Sequence, residues 1–270
     1  MKKMVIPGTD LKTSKFIFGT ASLFNCGRSK HRRYLLDAAV AEGFSHFDTA
    51  PLYGFGSAER DLSWVLKAYP NITFTTKVGL YAPGSENQSD TSIFLRKAAG
   101  RLVKRISLPK INFQIDQAQN SLENSLKRCG RECVDLYLLH EPDINLIESD
   151  EWKKWLSTCT REGKIARYGM SLSSEQLRPF LESAELIGDV IQLQDSITGQ
   201  ESSILAEYHL PKQITFGYVS AAIRVDKQVD VKEILRAAIS RNTENAIVVS
   251  TTAASRLKQY AEISLEPIRD

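Results

Sequence analysis

The feature that most limits the fold is a rhythm. Short apolar, β-branched or aromatic runs recur between helix-patterned segments along the whole chain. "FIFGTA" (16–21), "SHFDTA" (45–50), "ITFTTKV" (72–78) and "DLYLLH" (135–140) come first. "ARYGMSL" (166–172), "DVIQLQD" (189–195), "QITFGYVS" (213–220) and "NAIVVST" (245–251) follow. These eight candidate strands are mostly continuous in hydrophobicity, as strands covered on both faces should be. Between them, "KHRRYLLDAAVAEG" (30–43) carries helical spacing and stops at Gly43, and "SAERDLSWVLKAY" (57–69) opens on Ser57, a good N-cap. Residues 116–130 and 149–163 start near Ser or Asp and end on Gly, while 173–188, 230–242 and 253–263 continue the alternation. The weakest helical segment is 200–208. Strand–helix alternation implies a parallel sheet with right-handed crossovers. Eight such units in 270 residues fit an α/β fold of the (β/α)8 TIM-barrel kind better than an open doubly wound sheet. With no linker-like stretch, residues 1–270 are expected to form a single barrel domain.

Two regions break the rhythm. "VIPGTDLKTSK" (5–15) has a Pro-Gly turn between short extended pieces and predicts a small amino-terminal β-hairpin closing the barrel floor. Residues 80–111 read as an insertion: a polar loop, then "SIFLRKAAGRLVKRI" (92–106), a basic amphipathic helix expected to present a solvated face. No G-x-G-x-x-G opens any helix, since "GFG" at 54–56 lacks the third glycine.

Bulk properties exclude several classes. A hydrophobic content of 42%, a charged content of 25% and a net charge of +3 are ordinary globular values. Such a charge argues for neither nucleic acid nor an anionic membrane as partner. The first residues lack a long apolar segment of the secretory kind, and no apolar run approaches the ~20 residues of a membrane span. The four cysteines, Cys26, Cys129, Cys133 and Cys159, show no paired CxxC spacing and read as reduced thiols. A cytoplasmic location is the expectation.

In barrels of this kind active sites lie at the carboxyl ends of the strands. There the second run carries Asp48, the third Lys77 and the fourth His140, while Tyr53 follows in the loop leaning over the same mouth. A structural Asp48–Lys77 ion pair beside a hydrogen-bonded histidine would explain any one of them alone; four at one mouth favour chemistry. A phenol has an ordinary pKa of ~10, which burial raises and an adjacent ammonium lowers. Asp48 would keep Lys77 charged, and Lys77 is expected to bring Tyr53 down by ~2 pH units, or roughly 2.7 kcal/mol. His140 could hydrogen-bond a substrate oxygen near Tyr53. The set polarises a carbonyl and delivers a proton but holds no nucleophile and no metal cage, so it calls for a hydride donor.

At this point the chain resembles the aldo-keto reductases, NAD(P)H-dependent (β/α)8-barrel oxidoreductases, over almost its whole length. "AVAEGFSHFDTAPLYGFGSAERDL" is similar to their signature around the catalytic Asp and Tyr, and "FTTKVG" to their lysine segment. "SLENSLKRCGRECVDLYLLHEPD" is similar to the helix and strand ending in their His, and "EGKIARYGMSLSS" to their G-K-I-R-x-x-G-x-S-N stretch. The resemblance implies Tyr53 as general acid, Lys77 as its tuner, Asp48 as the lysine's partner and His140 as substrate orienter. It implies Gly19 and Thr20 lining the cofactor, and Ser171 and Gln192 holding the nicotinamide carboxamide. Tyr218 would stack under the nicotinamide, and Ser250, Thr251 and Arg256 would meet the adenosine end. The implied cofactor is NADPH, with NADH possible, and the implied substrate a small carbonyl compound or the corresponding alcohol or sugar hydroxyl.

Departures from the family pattern qualify these expectations. Leu172 stands where the family has Asn, so one carboxamide hydrogen bond is expected to be lost or replaced. Ser250 stands at the lysine used for the 2′-phosphate, which weakens the NADPH preference, although Arg256 remains to meet that phosphate in a forked geometry. Few residues follow the last helix, so the long carboxyl-terminal loop of many members is expected to be missing. The pocket would then be open, or completed by the 80–111 insertion or a second subunit. Two other readings stay open: a barrel retained as a binding or regulatory subunit, and an enzyme that keeps its cofactor bound for internal redox.

Overall fold

The computed structural model describes residues 1–103 and 106–267. The chain starts with the expected hairpin, β1 (Lys3–Val5) against antiparallel β2 (Lys12–Ser14), turned through Gly8 at φ 75°. Between them Ile6 and Leu11 are buried against Ile17, Leu136, Leu138 and Val190 of the barrel interior. Arg167 ties the hairpin down, pairing with Asp10 at 2.8 Å and Asp189 at 3.0 Å. The hairpin thereby plugs the floor with apolar side chains.

β3 (Phe16–Gly19), β4 (His46–Asp48) and β5 (Thr73–Val78) follow, separated by α1 (Ser29–Ala41) and α2 (Ser57–Ala68). The insertion comes next. β6 (Leu80–Tyr81) and β7 (Lys110–Ile111) pair at its base, with α3 (Asp90–Leu102) between them. After α4 (Ile115–Cys129) come β8 (Val134–His140), α5 (Ser149–Arg161), β9 (Ile165–Leu172) and α6 (Ser174–Glu182). β10 (Val190–Gln194), α7 (Ile204–Glu207), β11 (Ile214–Phe216) and α8 (Tyr218–Val225) lead to α9 (Val231–Arg241), β12 (Ala246–Val249) and α10 (Ser255–Ile263).

Strands β3, β4, β5, β8, β9, β10, β11 and β12 pair in that order and close into a barrel. Every pairing within it is parallel, so each of the eight expected runs contributes one strand. Register and the two-residue period of a strand decide which side chains share a face. Gly19 is level with Asp48, Asp48 with Thr75, and Lys77 with Leu138. His140 is level with Ser171, Ser171 with Gln192, Gln194 with Phe216, and Phe216 with Val248. These residues line the inside. Phe18, Phe47, Phe74, Tyr137, Leu172 and Leu193 alternate with them and are buried under the helices, which is why the strands read as continuous apolar runs.

Three local expectations need correction. Ser57 is the first residue of α2 rather than its cap. Gly56, at φ 83°, occupies the cap position, and no side chain satisfies the free amides there. The seventh run does not stay extended to 220. Gly217 at φ 106° ends the strand and α8 begins at Tyr218. The insertion helix begins at Asp90 rather than Ser92, and the side of this amphipathic helix expected to be solvated also carries Phe94 and Leu95, 66% and 62% exposed. Lys104 and Arg105 of the expected basic helix lie outside the described residues. Segment 200–208 is a short 3-10 turn running into the single turn of α7.

Candidate active site

Each member of the acid–base quartet is positioned by a different device. Asp48 and Lys77 sit inward on β4 and β5, and His140 is the last residue of β8. Tyr53 comes from a 3-10 turn over Tyr53–Gly56 whose next three residues take left-handed backbones, Gly54 at φ 54°, Phe55 at φ 52° and Gly56 at φ 83°. That explains the "GFG" stretch: it makes a tight turn, not a dinucleotide loop. A Cβ on Gly56 would lie 2.0 Å from the Glu86 carbonyl oxygen, so only glycine fits. Phe55 accepts a backbone that costs a side-chain-bearing residue roughly 1–2 kcal/mol. Its burial with Ala82 and Ile93 of the insertion offsets that cost.

The four side chains meet. Lys77 Nζ donates to Asp48 Oδ1 at 2.5 Å, to the Thr49 carbonyl at 3.1 Å and to Tyr53 Oη at 3.3 Å. The Tyr53 and His140 rings stand edge to face, centroids 5.8 Å apart. Asp48, Lys77 and His140 are 4%, 1% and 7% exposed. Burial pulls the Lys77 ammonium toward neutrality, but the Asp48 carboxylate and the Tyr53 oxygen outweigh it and hold its pKa above the ordinary value. His140 is held well below its ordinary value by burial and then by Lys77, so its imidazole is neutral. Its buried Nδ1 has no hydrogen-bond partner among the described residues. A neutral ring of this kind can meet an incoming oxygen without a charge of its own.

Tyr53 departs from expectation. Its pKa lies above the ordinary value, not ~2 units below it. Burial is the largest influence; Lys77 opposes it, and the carboxylates of Asp48 and Glu141 add to it. Tyr53 is therefore a neutral phenol near pH 7 with a proton to give. Lys77 limits the cost of the phenolate without making it the resting form.

The residues expected at a cofactor divide into two groups. Ser171 Oγ donates to Gln192 Oε1 at 2.6 Å, and Gln192 Nε2 donates to Asp48 Oδ2 at 2.8 Å. A carboxylate can only accept, which fixes the orientation of the amide. Thr20 is fully buried, its hydroxyl and its amide both donating to the Asp48 carbonyl at 3.0 and 2.9 Å, so it braces the acid–base pair from beneath. Gly19 is needed for close packing, because a Cβ there would lie 2.9 Å from Val248 Cγ1. Leu172 faces away from the mouth into the helix-covered core, so its side chain leaves no gap in the inner wall.

Ser250, Thr251 and Arg256 line a separate groove of about 270 Å³ with Ser22, Gly217 and Ser220. Thr251 is 5% exposed, and Arg256, in the first turn of α10, forms no ion pair among the described residues. A cationic side chain at a helix amino terminus suits a phosphate group.

Tyr218 also lines this groove, but its hydroxyl is committed elsewhere. It donates to Asp195 Oδ2 at 2.5 Å and accepts from Asn242 Nδ2 at 2.7 Å, with the residue 2% exposed. The aromatic ring that register places on the inner wall, level with Gln194 and Val248, is Phe216. Sequence reading did not single out Phe216, because the resemblance pointed to Tyr218 in the same run. The Gly217 that precedes Tyr218 is the signal that could have marked the strand's end.

Comparison with known proteins follows the same outline. A model of the aldo/keto reductase family matches residues 15–220. Over 145 residues the chain is 31% identical to a 6-dehydroglucose reductase of Agrobacterium fabrum, covering 52% of this chain and 43% of that one. Over 194 residues it is 27% identical to the aldo-keto reductase YhdN of Bacillus subtilis, covering 69% and 52%. The chain thus spans about half the length of these relatives. Among solved structures, the holo form of an aldo-keto reductase from Bacillus halodurans superposes with a TM-score of 0.75 at 19% identity, covering 100% of this chain and 93% of that one. An aldo-keto reductase from Klebsiella pneumoniae in complex with NADPH gives 0.65 at 17% identity, covering 98% and 90%.

Proposed function

Because the chain belongs to the aldo/keto reductase family, we propose that it is an NAD(P)H-dependent oxidoreductase that reduces an aldehyde or ketone, or oxidises the matching alcohol or sugar hydroxyl. NADPH is the favoured cofactor and NADH the alternative. The observation that carries this reading is the contact of Lys77 Nζ with both Asp48 Oδ1 and Tyr53 Oη at a mouth that also holds neutral His140.

When bound, the cofactor supplies the hydride. The chain's own residues do the rest. His140 holds the substrate oxygen, its neutral ring adding no cation that would compete for Tyr53. Tyr53 Oη gives its proton to that oxygen as negative charge develops on it. Lys77 stabilises the phenolate left behind, and Asp48 keeps Lys77 protonated throughout. Burial of the group keeps these charges strong by excluding water.

The residues present fit the cofactor. Phe216 offers a ring on the inner wall for the nicotinamide face, and Ser171 and Gln192 offer polar atoms there. Arg256 and Thr251 supply the groove for the adenosine end. The similar proteins from Agrobacterium fabrum and Bacillus subtilis, a 6-dehydroglucose reductase and an aldo-keto reductase, support a carbonyl or sugar substrate. Action at the level of small molecules, as a single barrel in the cytoplasm, completes the proposal.

The test is absorbance-monitored oxidation of NADPH and NADH over a panel of aldehydes, ketones and open-chain sugars. Sustained consumption with at least one substrate is expected. Cofactor binding without turnover on any of them would favour a regulatory barrel instead.

A further inference from the structure

A cavity of about 500 Å³ lies outside the acid–base site. It lies beside it, between the turn after β3, the start of α1 and the insertion helix α3. Its walls include Phe24, Phe94, Arg28, Arg32, Lys97 and Asp90.

Its charges do not balance. Arg32 is spent: Asp61, the Gly27 carbonyl and the Asp90 carboxylate take up its guanidinium. Asp61 also faces Arg33 at 3.5 Å. Two carboxylates are thus shared by two arginines, and Lys97 and Arg28 are left over. Neither forms an ion pair with any described residue. Lys97 is half-buried, its ammonium 4.6 Å from the Phe24 ring centroid and 5.7 Å from that of Phe55. Burial and then Arg32 lower its pKa, the direction expected of a cation without a counter-charge. Aromatic faces alone are weak compensation for a partly desolvated ammonium.

The cavity touches the chemistry through one wall. Phe24 packs against Gly54, whose Cβ position would lie 3.3 Å from Phe24 Cβ, and Gly54 follows Tyr53 directly. Phe55 of the same turn sits under Lys97. The cationic, aromatic-walled recess is thus packed against the turn that carries Tyr53.

Building on the carbonyl-reductase reading, we propose that this recess recognises the anionic end of the substrate, a phosphomonoester or carboxylate, with Lys97 and Arg28 as its charged contacts and Phe24 and Phe94 as its apolar walls. It deepens the proposed function by naming a substrate class: phosphorylated or acidic carbonyl compounds over neutral ones. The insertion, which brings Lys97 and Phe94, acts as the specificity element.

Two measurements test it. The first is steady-state turnover of glyceraldehyde 3-phosphate against glyceraldehyde by the wild type, Lys97→Met, Lys97→Arg and Arg28→Met. Lys97→Met is expected to lower kcat/KM for the phosphorylated aldehyde at least tenfold more than for glyceraldehyde. Arg28→Met should act in the same direction, and Lys97→Arg should restore most of the ratio. Equal losses on both aldehydes, or a ratio that does not move, would overturn the proposal. The second is calorimetric titration of the cofactor-free protein with phenyl phosphate, which needs no turnover. Saturable binding weakened at least tenfold by Lys97→Met, and little by Arg256→Ala, supports the recess. No binding, or binding lost only in Arg256→Ala, rejects it. If no member of the carbonyl panel is turned over, the carbonyl-reductase reading fails, and the titration still decides whether the recess binds anions.

Discussion

Gln192 Nε2 donates to Asp48 Oδ2 at 2.8 Å, across 144 residues of sequence, while Lys77 occupies the other carboxylate oxygen. Two residues that family resemblance assigns to the cofactor, Gln192 and Ser171, are thus wired into the acid–base pair. Replacing Gln192 by Leu keeps most of the volume but strands a buried carboxylate oxygen. Equilibrium urea unfolding should show a loss of roughly 1–3 kcal/mol. An unchanged midpoint would mean that the hydrogen bond is not formed in solution.

The cofactor face can be assigned by comparing two aromatic residues. Phe216 lies on the inner wall by register, whereas Tyr218 anchors α8 to Asp195 and Asn242. Phe216→Ala should weaken NADPH binding, read by fluorescence titration, by about tenfold, the loss of one stacked ring contributing about 1.4 kcal/mol. Tyr218→Phe should leave that affinity nearly intact while costing roughly 1.5–3 kcal/mol of stability, since it removes a hydrogen bond to a buried carboxylate. The reverse pattern would return the stacking role to Tyr218.

Arg256 is exposed in the groove it lines with Ser250 and Thr251, and Ser250 brings no second charge. If Arg256 meets the 2′-phosphate, Arg256→Ala should raise the NADPH dissociation constant about tenfold and that of NADH less than twofold. Equal losses for both cofactors would show that the phosphate is not read there.

Buried histidines make stability depend on pH. His46 is fully buried with both ring nitrogens 2.7 Å from threonine hydroxyls, those of Thr73 and Thr75. Burial first and Lys77 second push its pKa down to about 3, and His140 is lowered in the same direction. In the unfolded chain both protonate near pH ~6.5. Below that value the unfolded state binds more protons, so this stability is fully present above pH ~6.5 and declines as the pH falls toward the folded pKa values. Each ring contributes a slope of about 1.4 kcal/mol per pH unit in that window. Thermal unfolding should show Tm dropping from pH 7 to pH 5, with a shallower drop in His46→Gln. A flat wild-type profile, or equal slopes in both proteins, would contradict this account.

Much of the fold was legible because its signals are local. A strand buried on both faces reads as a continuous apolar run, and an ionisable residue closing such a run, Lys77 or His140, marks its mouth end. The quartet followed from that placement. What escaped depends on where a strand stops or on sums over the folded whole. The seventh run reads as extended to 220, but β11 ends at Phe216, four residues earlier, so Tyr218 belongs to α8 and Phe216 is the last inward aromatic side chain of the strand. The bracing of Asp48 by Thr20 and Gln192 joins strands far apart in sequence. The direction of the Tyr53 shift could not be read from a neighbouring lysine, because it turns on how completely the barrel and the insertion exclude water. The cationic recess escaped for a similar reason: it forms only once α3 folds back over Phe24.

The central claim is that Tyr53, held by Lys77 and Asp48, gives the proton in carbonyl reduction. The most direct measurement compares the wild type with Tyr53→Phe at saturating NADPH on the best aldehyde of the panel, with NADPH affinity titrated in parallel. The account predicts a dissociation constant within about threefold of the wild type and a kcat lower by at least ~10², a positioned acid being worth ~10²–10⁴. A Tyr53→Phe protein that turns over at the wild-type rate would contradict it.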